Sequence, residues 1–283
     1  MNISSCRIAF HALLLTGAAA VLPAQTFLGS DNFDDNSLTI GSGNRWIMSY
    51  GLGSSAGTGT FSETGGVLNF SSTGDDTQFL RWSNLSTPGS DFTQDWTATI
   101  DVTNIVYPTE GYVTAGLQIY TLFNDGSVNR FNAYYSLMLL SEGNSSNLIV
   151  TEWAKSTGTA LGSPVTNSIA FGDGTAVSLQ LAWNASAQDL TARYSSNGID
   201  FITGQVFDLN GNEAGYQTNL NNAFGLELFV RSAGGAGPLS TGGVSFDNMN
   251  VSAVPEPSTF AALLGLAGLG FASSRRRPRG ITA

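Results

Sequence analysis

The chain has 283 residues, of which 42% are hydrophobic and 11% are charged, and its formal net charge is −10. Its single cysteine, Cys6, and its single histidine, His11, both lie close to the N-terminus. The rest of the chain therefore has no disulfide, no Cys–His or Ser–His–Asp catalytic set, and no zinc site built on histidine or thiolate. The remaining chemistry is that of oxygen: carboxylates acting as acid and base, or oxygen atoms holding calcium.

Residues 1–24 have the composition of a secretory signal peptide. Arg7 precedes a stretch rich in apolar residues, 12–22, which ends in small residues. This order is typical of a leader that is removed after export, and it implies the Sec translocon and signal peptidase as partners. We predict Ala24 as the last residue of the leader, with Ala20 as the alternative. Cys6 precedes the apolar stretch and is lost with the leader.

The body, residues 25–253, is acidic and has the pattern of an all-β domain. It carries six Lys or Arg and 20 Asp or Glu, a net charge of −14, so it offers no basic patch for nucleic acid or anionic lipid. Apolar residues alternate with their neighbours, as in strands with one buried face, in the segments 97–103, 131–139, 177–184 and 224–231. Turn residues separate these segments, and we expect about ten to fourteen strands in two packed antiparallel sheets.

Four further segments together resemble the concanavalin A-like or laminin-G-like jelly roll; they are 31–35, 65–70, 190–198 and 243–248. The resemblance implies an antiparallel two-sheet β-sandwich whose first and last strands lie side by side, with another jelly roll as the alternative. The glucanase branch of that superfamily places two Glu around an Asp at alternate positions of one strand, and no strand of this sequence does so. Glu152 and Glu227 lie on strand-like segments and are the candidates for a hydrolytic pair, which needs carboxyl groups about 5–10 Å apart. The alternative is that both are ordinary exposed carboxylates.

Two weaker sets of candidate ligands lie in the body. Carboxylates near both ends of the body would meet if the terminal strands pair, and would suit calcium; they are Asp31, Asp34, Asp35 and Asp247. No other cofactor is expected. Three aromatic residues fall out of phase with their apolar neighbours and are candidates for glycan binding on an open sheet face; they are Tyr120, Tyr134 and Trp153. Trp183 is in phase with Val177, Leu179 and Leu181, so we expect it in the core.

The tail, residues 254–280, combines Val254–Pro255–Glu256–Pro257, an uncharged segment at 258–274, and a basic stop formed by Arg275, Arg276, Arg277 and Arg279. The uncharged segment spans about 26 Å as a helix, short of the roughly 30 Å of a bilayer core, which suits an anchor that is held briefly and then cut. The arginines favour a cytoplasmic C-terminus, hence an N-out, C-in orientation. This order of parts resembles the PEP-CTERM tail of Gram-negative bacteria that make extracellular polysaccharide, which an exosortase-type protease-transferase processes at the outer face of the inner membrane.

The resemblance implies an exported protein that is anchored transiently and then released or transferred to the cell surface or the extracellular space. Since no catalytic set is visible, we predict a non-catalytic structural or adhesive component of the exopolysaccharide matrix. The alternative is a glycan-active body, either a lectin-like carbohydrate-binding module or a divergent glycoside hydrolase.

Two prolines impose a rigid extended backbone that presents Glu256 between them. We therefore expect Glu256→Ala or Pro257→Ala to leave the protein in the membrane fraction, as measured by fractionation and by the mass of the product. Normal processing of either variant would show that this motif is not the recognition element.

Overall fold

The computed structural model describes residues 29–40, 43–44, 46–49, 57–82, 94–124, 129–142, 146–155, 165–168, 176–209 and 224–254. These residues form strands, turns and bends and include no helix. Accordingly, the described part of the chain offers no helix with the length and apolar character that a membrane span requires. The predicted leader, 1–24, and the tail from Pro255 onward lie outside the described residues.

The body is an antiparallel β-sandwich of two large sheets, as predicted. In spatial order, the first sheet contains β15 (Ile202–Asp208), β14 (Asp189–Ser195), β13 (Val177–Asn184), β8 (Trp96–Ile105), β17 (Leu239–Ala253), β6 (Val67–Ser72) and β5 (Thr60–Thr64), and β1 (Gly29–Asp31) also pairs with β17. The second sheet contains β12 (Val165–Ser168), β11 (Ser146–Lys155), β10 (Asn129–Glu142), β9 (Tyr112–Asn124), β16 (Phe224–Ala233), β7 (Asp76–Trp82) and β4 (Trp46–Ser49). A separate small pair joins β2 (Thr39–Ile40) and β3 (Gly43–Asn44).

The chain crosses repeatedly between the two sheets. In each sheet a late strand lies between two early ones: β17 between β8 and β6, and β16 between β9 and β7. Such crossovers are the Greek-key connections of a jelly roll. Strand β1 runs beside β17, with Gly29 opposite Val251 and Asp31 opposite Met249. The first and last described strands of the body are therefore neighbours, as the resemblance implied.

The alternating segments fill the space between the sheets. In β13, Val177, Leu179, Leu181 and Trp183 are each at most 2% exposed, which confirms that Trp183 belongs to the core. Strand β8 buries every second residue from Trp96 to Val102 in the same way. Burying one large apolar side chain contributes about 1.5–3 kcal/mol, so these rows are the main source of stability.

Seventeen strands are present in the described residues, more than the ten to fourteen expected. The excess consists of short strands: β1 to β4 and β12 each contain two to four residues. A strand of this length is too short to show a period of two in its sequence, so only pairing with a longer neighbour defines it.

Asp31 joins the two sheets near the N-terminus of the body. It is 5% exposed, and its carboxylate accepts hydrogen bonds from the amide of Phe33 at 3.0 Å and from the indole Nε1 of Trp46 at 2.8 Å. Because Asp31 ends β1 and Trp46 begins β4, the contact links one sheet to the other. The Trp46 ring also packs edge-on against Trp82, with 4.8 Å between the ring centroids.

We expect Asp31→Ala to lower the free energy of unfolding by about 2–4 kcal/mol, because it leaves the buried indole N–H of Trp46 without an acceptor. Urea unfolding of the mature body measures this change. Asp34→Ala is the matched control, since Asp34 is exposed and, within the described part of the chain, is hydrogen-bonded only to the side chain of Asn32. Equal losses in the two variants would contradict the role given to Asp31.

Candidate functional site

A row of polar side chains crosses the outer face of the second sheet, the seven-stranded one that runs from β12 to β4. Strand register places Glu152 opposite Ser136, Ser136 opposite Gln118, Gln118 opposite Glu227, and Glu227 opposite Arg81. These five residues, called here the polar row, alternate with residues whose side chains fill the core. The row therefore lies on the face that points away from the sandwich core.

The middle of the polar row is a continuous chain of hydrogen bonds. The Ser136 hydroxyl donates to Gln118 Oε1 at 3.1 Å, and Gln118 Nε2 donates to Glu227 Oε2 at 3.3 Å. Arg81 donates from Nε and from Nη2 to Glu227 Oε1, at 3.3 Å each. Glu227 is only 2% exposed, yet both of its oxygens have donors. A buried charge is tolerated when it is paired and hydrogen-bonded in this way.

Both ends of the polar row reach solvent. At one end the Arg81 side chain is 23% exposed. At the other, Glu152 and Tyr134 are half-buried, and the Tyr134 hydroxyl lies 3.4 Å from Glu152 Oε1 as a potential donor. Burial, and then the neighbouring Glu152 carboxylate, raise the pKa of Tyr134 to about 12. The phenol therefore keeps its proton at neutral pH and remains a hydrogen-bond donor.

The register groups two of the three predicted aromatic residues. Tyr120 pairs with Tyr134, so both positions lie on the outer face beside the polar row. Trp153 pairs with Tyr135, which is 1% exposed in the core, so its position is on the opposite face from Tyr134. This differs from the prediction that grouped all three, because the pairing of β10 with β11 decides the face. The side chains of Tyr120 and Trp153 lie outside the described residues.

The two glutamates considered as a hydrolytic pair lie in the same row but on different strands. Glu152 on β11 and Glu227 on β16 are separated by β10 and β9. Three strand spacings of about 4.8 Å separate their backbones by about 14 Å. Retaining and inverting glycosidases hold their carboxyl groups about 5–10 Å apart. No pattern along the chain pointed to Ser136, Gln118 or Arg81, since only the cross-strand register places the first two between the glutamates and Arg81 beside Glu227.

The structure distributes the four predicted calcium ligands over separate contacts; they are Asp31, Asp34, Asp35 and Asp247. The carboxylate of Asp31 is used within the core, whereas Asp34 is exposed. Burial raises the pKa of Asp247, and the nearby carboxylates of Asp101 and Asp34 raise it further. Within the described ranges, no three Asp, Glu, His or Cys side chains are arranged to hold a metal ion. A calcium site stays a prediction.

Glu63 of β5 is an acidic residue that the sequence reading missed. Its Oε2 accepts the amide of Ser37 at 2.6 Å, and Asp35 Oδ1 accepts the same amide at 3.0 Å. Its Oε1 is buried and has no hydrogen-bond partner among the described residues. Burial first, and then the Asp35 carboxyl, raise the pKa of Glu63 to about 7. The alternation of Phe61 with Ser62 was the available signal, because it places Glu63 on the buried side of the strand.

Of the predicted sorting residues, only Val254 lies within the described residues. It is 41% exposed, and its amide donates to the carbonyl oxygen of Asp95 at 2.9 Å. Pro255, Glu256, Pro257 and the arginines of the basic stop, Arg275, Arg276, Arg277 and Arg279, lie outside the described residues. Sequence comparison supports the tail directly: residues 253–277 match the family described as the PEP-CTERM protein-sorting motif. The chain thus carries an export and sorting signal of that type, as predicted.

No curated protein matches the chain. Among solved structures, it is similar to the CBM2 module of the evolved Dit of Lactobacillus casei BL23 phage J-1, at 13% identity and a TM-score of 0.49, covering 79% of this chain and 94% of that one. A legume lectin-like domain from Entamoeba histolytica gives 11% identity and 0.46, with coverages of 75% and 91%. Peanut lectin with a 9mer peptide gives 11% and 0.47, with coverages of 81% and 99%. At such low identities and TM-scores, no property of this chain follows from these likenesses.

The raised pKa of Glu63 predicts a specific pH dependence of stability. The folded state holds this proton up to about pH 7, whereas the unfolded state releases it near pH 4.5. The contribution of Glu63 to the free energy of unfolding is therefore fully present below pH 4.5 and is lost as the pH rises toward 7. The decline attributable to Glu63 is at most about 3 kcal/mol. Glu63→Gln should remove it, as measured by urea midpoints between pH 4.5 and pH 8. Glu110→Gln, an exposed control, should leave the slope unchanged; identical slopes in all three proteins would contradict the assignment.

Proposed function

We propose that the body binds neutral extracellular polysaccharide through the outer face of its seven-stranded sheet, in a protein that is exported and sorted by its PEP-CTERM tail. The observation that carries this proposal is the polar row. Its two accessible ends, Glu152 with Tyr134 on one side and Arg81 on the other, offer donors and acceptors at points aligned across five strands. A chain of sugars, with a hydroxyl group on nearly every ring carbon, is the ligand class that such a line suits.

Charge favours a neutral rather than an anionic glycan. The body carries a net charge of −14, which would repel a polysaccharide rich in carboxylate or phosphate groups. Within the polar row, Arg81 neutralises Glu227, and Glu152 remains as a half-buried carboxylate beside Tyr134. Hydroxyl groups can donate to Glu152 and accept from the phenol of Tyr134 without any change of charge.

The dimensions of the row favour a short oligosaccharide segment over a single sugar. From Glu152 to Arg81 there are four strand spacings, or about 19 Å. Because Ser136 and Gln118 are 1% and 7% exposed, a ligand reaches only the ends of the row. The buried middle positions one of these ends, since Gln118 holds Glu227 and Glu227 holds Arg81. A ligand would contact Tyr134 and Glu152 at one end and Arg81 at the other.

Binding of this kind fits a non-catalytic, adhesive component of the exopolysaccharide matrix better than a hydrolase. Glu227 already has donors on both oxygens, and its separation from Glu152 is wide for a hydrolytic pair. A sorted protein that holds polysaccharide at the cell surface would contribute to the cohesion of the matrix. The proposed location is the cell surface or the extracellular space after an N-out, C-in intermediate.

The test compares two tyrosines of the same sheet by removing one hydroxyl from each. Tyr134→Phe should weaken retention on neutral polysaccharides, in affinity electrophoresis or pull-down, by about three- to tenfold, the effect of losing one hydrogen bond. Tyr112→Phe is the matched control, since Tyr112 is half-buried on the same sheet and its ring, which stays in place, lies 5.4 Å from Arg231 Cζ. Unchanged retention of Tyr134→Phe, or equal losses in both variants, would overturn the assignment.

The same assay separates the alternatives. Retention that disappears with chelator would move the site to the predicted calcium residues. Release of shorter sugars from the retained polysaccharide would favour the hydrolase. Absence of retention on every neutral polysaccharide would leave a purely structural body as the better interpretation.

A further inference from the structure

The sorting motif begins inside the sandwich rather than after it. The match to the motif starts at Ala253, which is the last residue of β17 and pairs with Trp96 of β8. The next amide, that of Val254, donates to the carbonyl oxygen of Asp95 at 2.9 Å. The first two residues of the motif therefore belong to the hydrogen-bond network of the sheet, and no spacer separates the body from the tail.

The end of β17 is firmly held. It lies between two strands, with β8 on one side and β1 on the other as far as Val251, which is 2% exposed. The hydroxyl groups of Ser252 and Thr97 lie 3.1 Å apart across the pair. Beyond Val251 the strand pairs with β8 alone among the described strands, and peeling it back past Val251 would break hydrogen bonds on both sides and expose Val251. We therefore expect the sheet to remain closed while the tail is processed.

The short distance between the sandwich and the motif means that any enzyme that acts on the tail must contact the sandwich. From Val254 to Pro257 there are three residues, which span at most about 11 Å when fully extended. A folded domain of 100 residues has a radius of gyration of about 13 Å. The segment is shorter than the radius of such a domain. An enzyme that binds residues 255–257 therefore contacts the end of the sandwich from which they emerge.

That end presents a rigid surface, called here the docking end: Asp95, the turn 184–189 between β13 and β14, and Val254. Asp95 Oδ1 accepts the amide of Ala185 at 2.7 Å, which fixes the turn beside the strand that bears the tail. Asn184 Oδ1 accepts the amides of Ser186 and Ala187, both at 3.0 Å. Ser186 and Ala187 are exposed. The surface is thus formed before any partner binds.

The docking end is acidic. Asp95 belongs to it, and Asp189, in its turn, pairs with Asp208 of β15. An acidic surface is repelled by anionic lipid headgroups, whereas it suits a protein surface that is neutral or basic.

We propose that the docking end is the surface on which the membrane-bound sorting enzyme binds this substrate, so that the enzyme recognises the folded body and the motif together. The partner is the protease-transferase implied by the sorting motif, and its contact surface is complementary in charge. The proposal depends on the motif and on the end of β17, and is independent of glycan binding.

The first test uses the full chain in a host that contains the sorting enzyme. Ala187→Arg should slow conversion of precursor to product about fivefold, because a positive charge on this acidic surface repels a partner surface of complementary charge and lowers the association rate. Thr109→Arg is the matched control, since Thr109 is also exposed but lies beyond the other end of β8. Ala187→Asp, which keeps the sign of the surface, should be processed at close to the normal rate. Equal rates for Ala187→Arg and Thr109→Arg would overturn the proposal.

A second test does not depend on the stability of a surface variant. Six Gly and Ser residues inserted between Val254 and Pro255 keep the body and motif intact but separate them, and should also slow processing. A photoreactive residue at position 187 should crosslink to a catalytically inactive enzyme, whereas one at position 109 should not. Unchanged or faster processing of the insertion variant, or no crosslink from position 187, would show that the enzyme recognises the tail without the body.

Discussion

The architecture depends on the position of β17 in the middle of its sheet. This strand pairs with β8 and β6 along its length and with β1 near its end, so the last strand of the body completes the ladders of three earlier ones. Such long-range pairing cannot form until most of the chain is present. It also fixes where the export tail leaves the domain: at the end of an interior strand, directly beside Asp95.

Three buried carboxylates illustrate how the fold treats charge. Glu227 has donors on both oxygens, and Asp31 has two donors, of which the Trp46 indole also joins the sheets. Glu63 shares one amide with Asp35, and its other oxygen has no partner within the ranges that the structure describes. The donors around the first two carboxylates offset the cost of burying them. The third is held near a second carboxyl, so burial raises its pKa until it keeps a proton near neutrality.

The alternation of apolar and polar residues along single strands could be recognised in the sequence because it is a local property. The rows containing Trp183 on β13 and Leu228 on β16 were predicted correctly, since each needs only a period of two. Alternation within each strand could not show whether Trp153 and Tyr134 lie on the same face of the sheet. Their strands are adjacent, but which residue of β11 faces which residue of β10 depends on the loop and on packing, neither of which a periodic pattern encodes.

Composition, period and motif order are local properties of the chain. They were enough to predict the all-β class, the acidic body without histidine or cysteine, and the sorting tail. Which distant residues meet became visible only in the folded protein. It aligned Glu152, Ser136, Gln118, Glu227 and Arg81 across five strands, and it placed Glu63 beside Asp35. These contacts follow from the register between strands far apart in sequence, and register is set by the packing of the whole core.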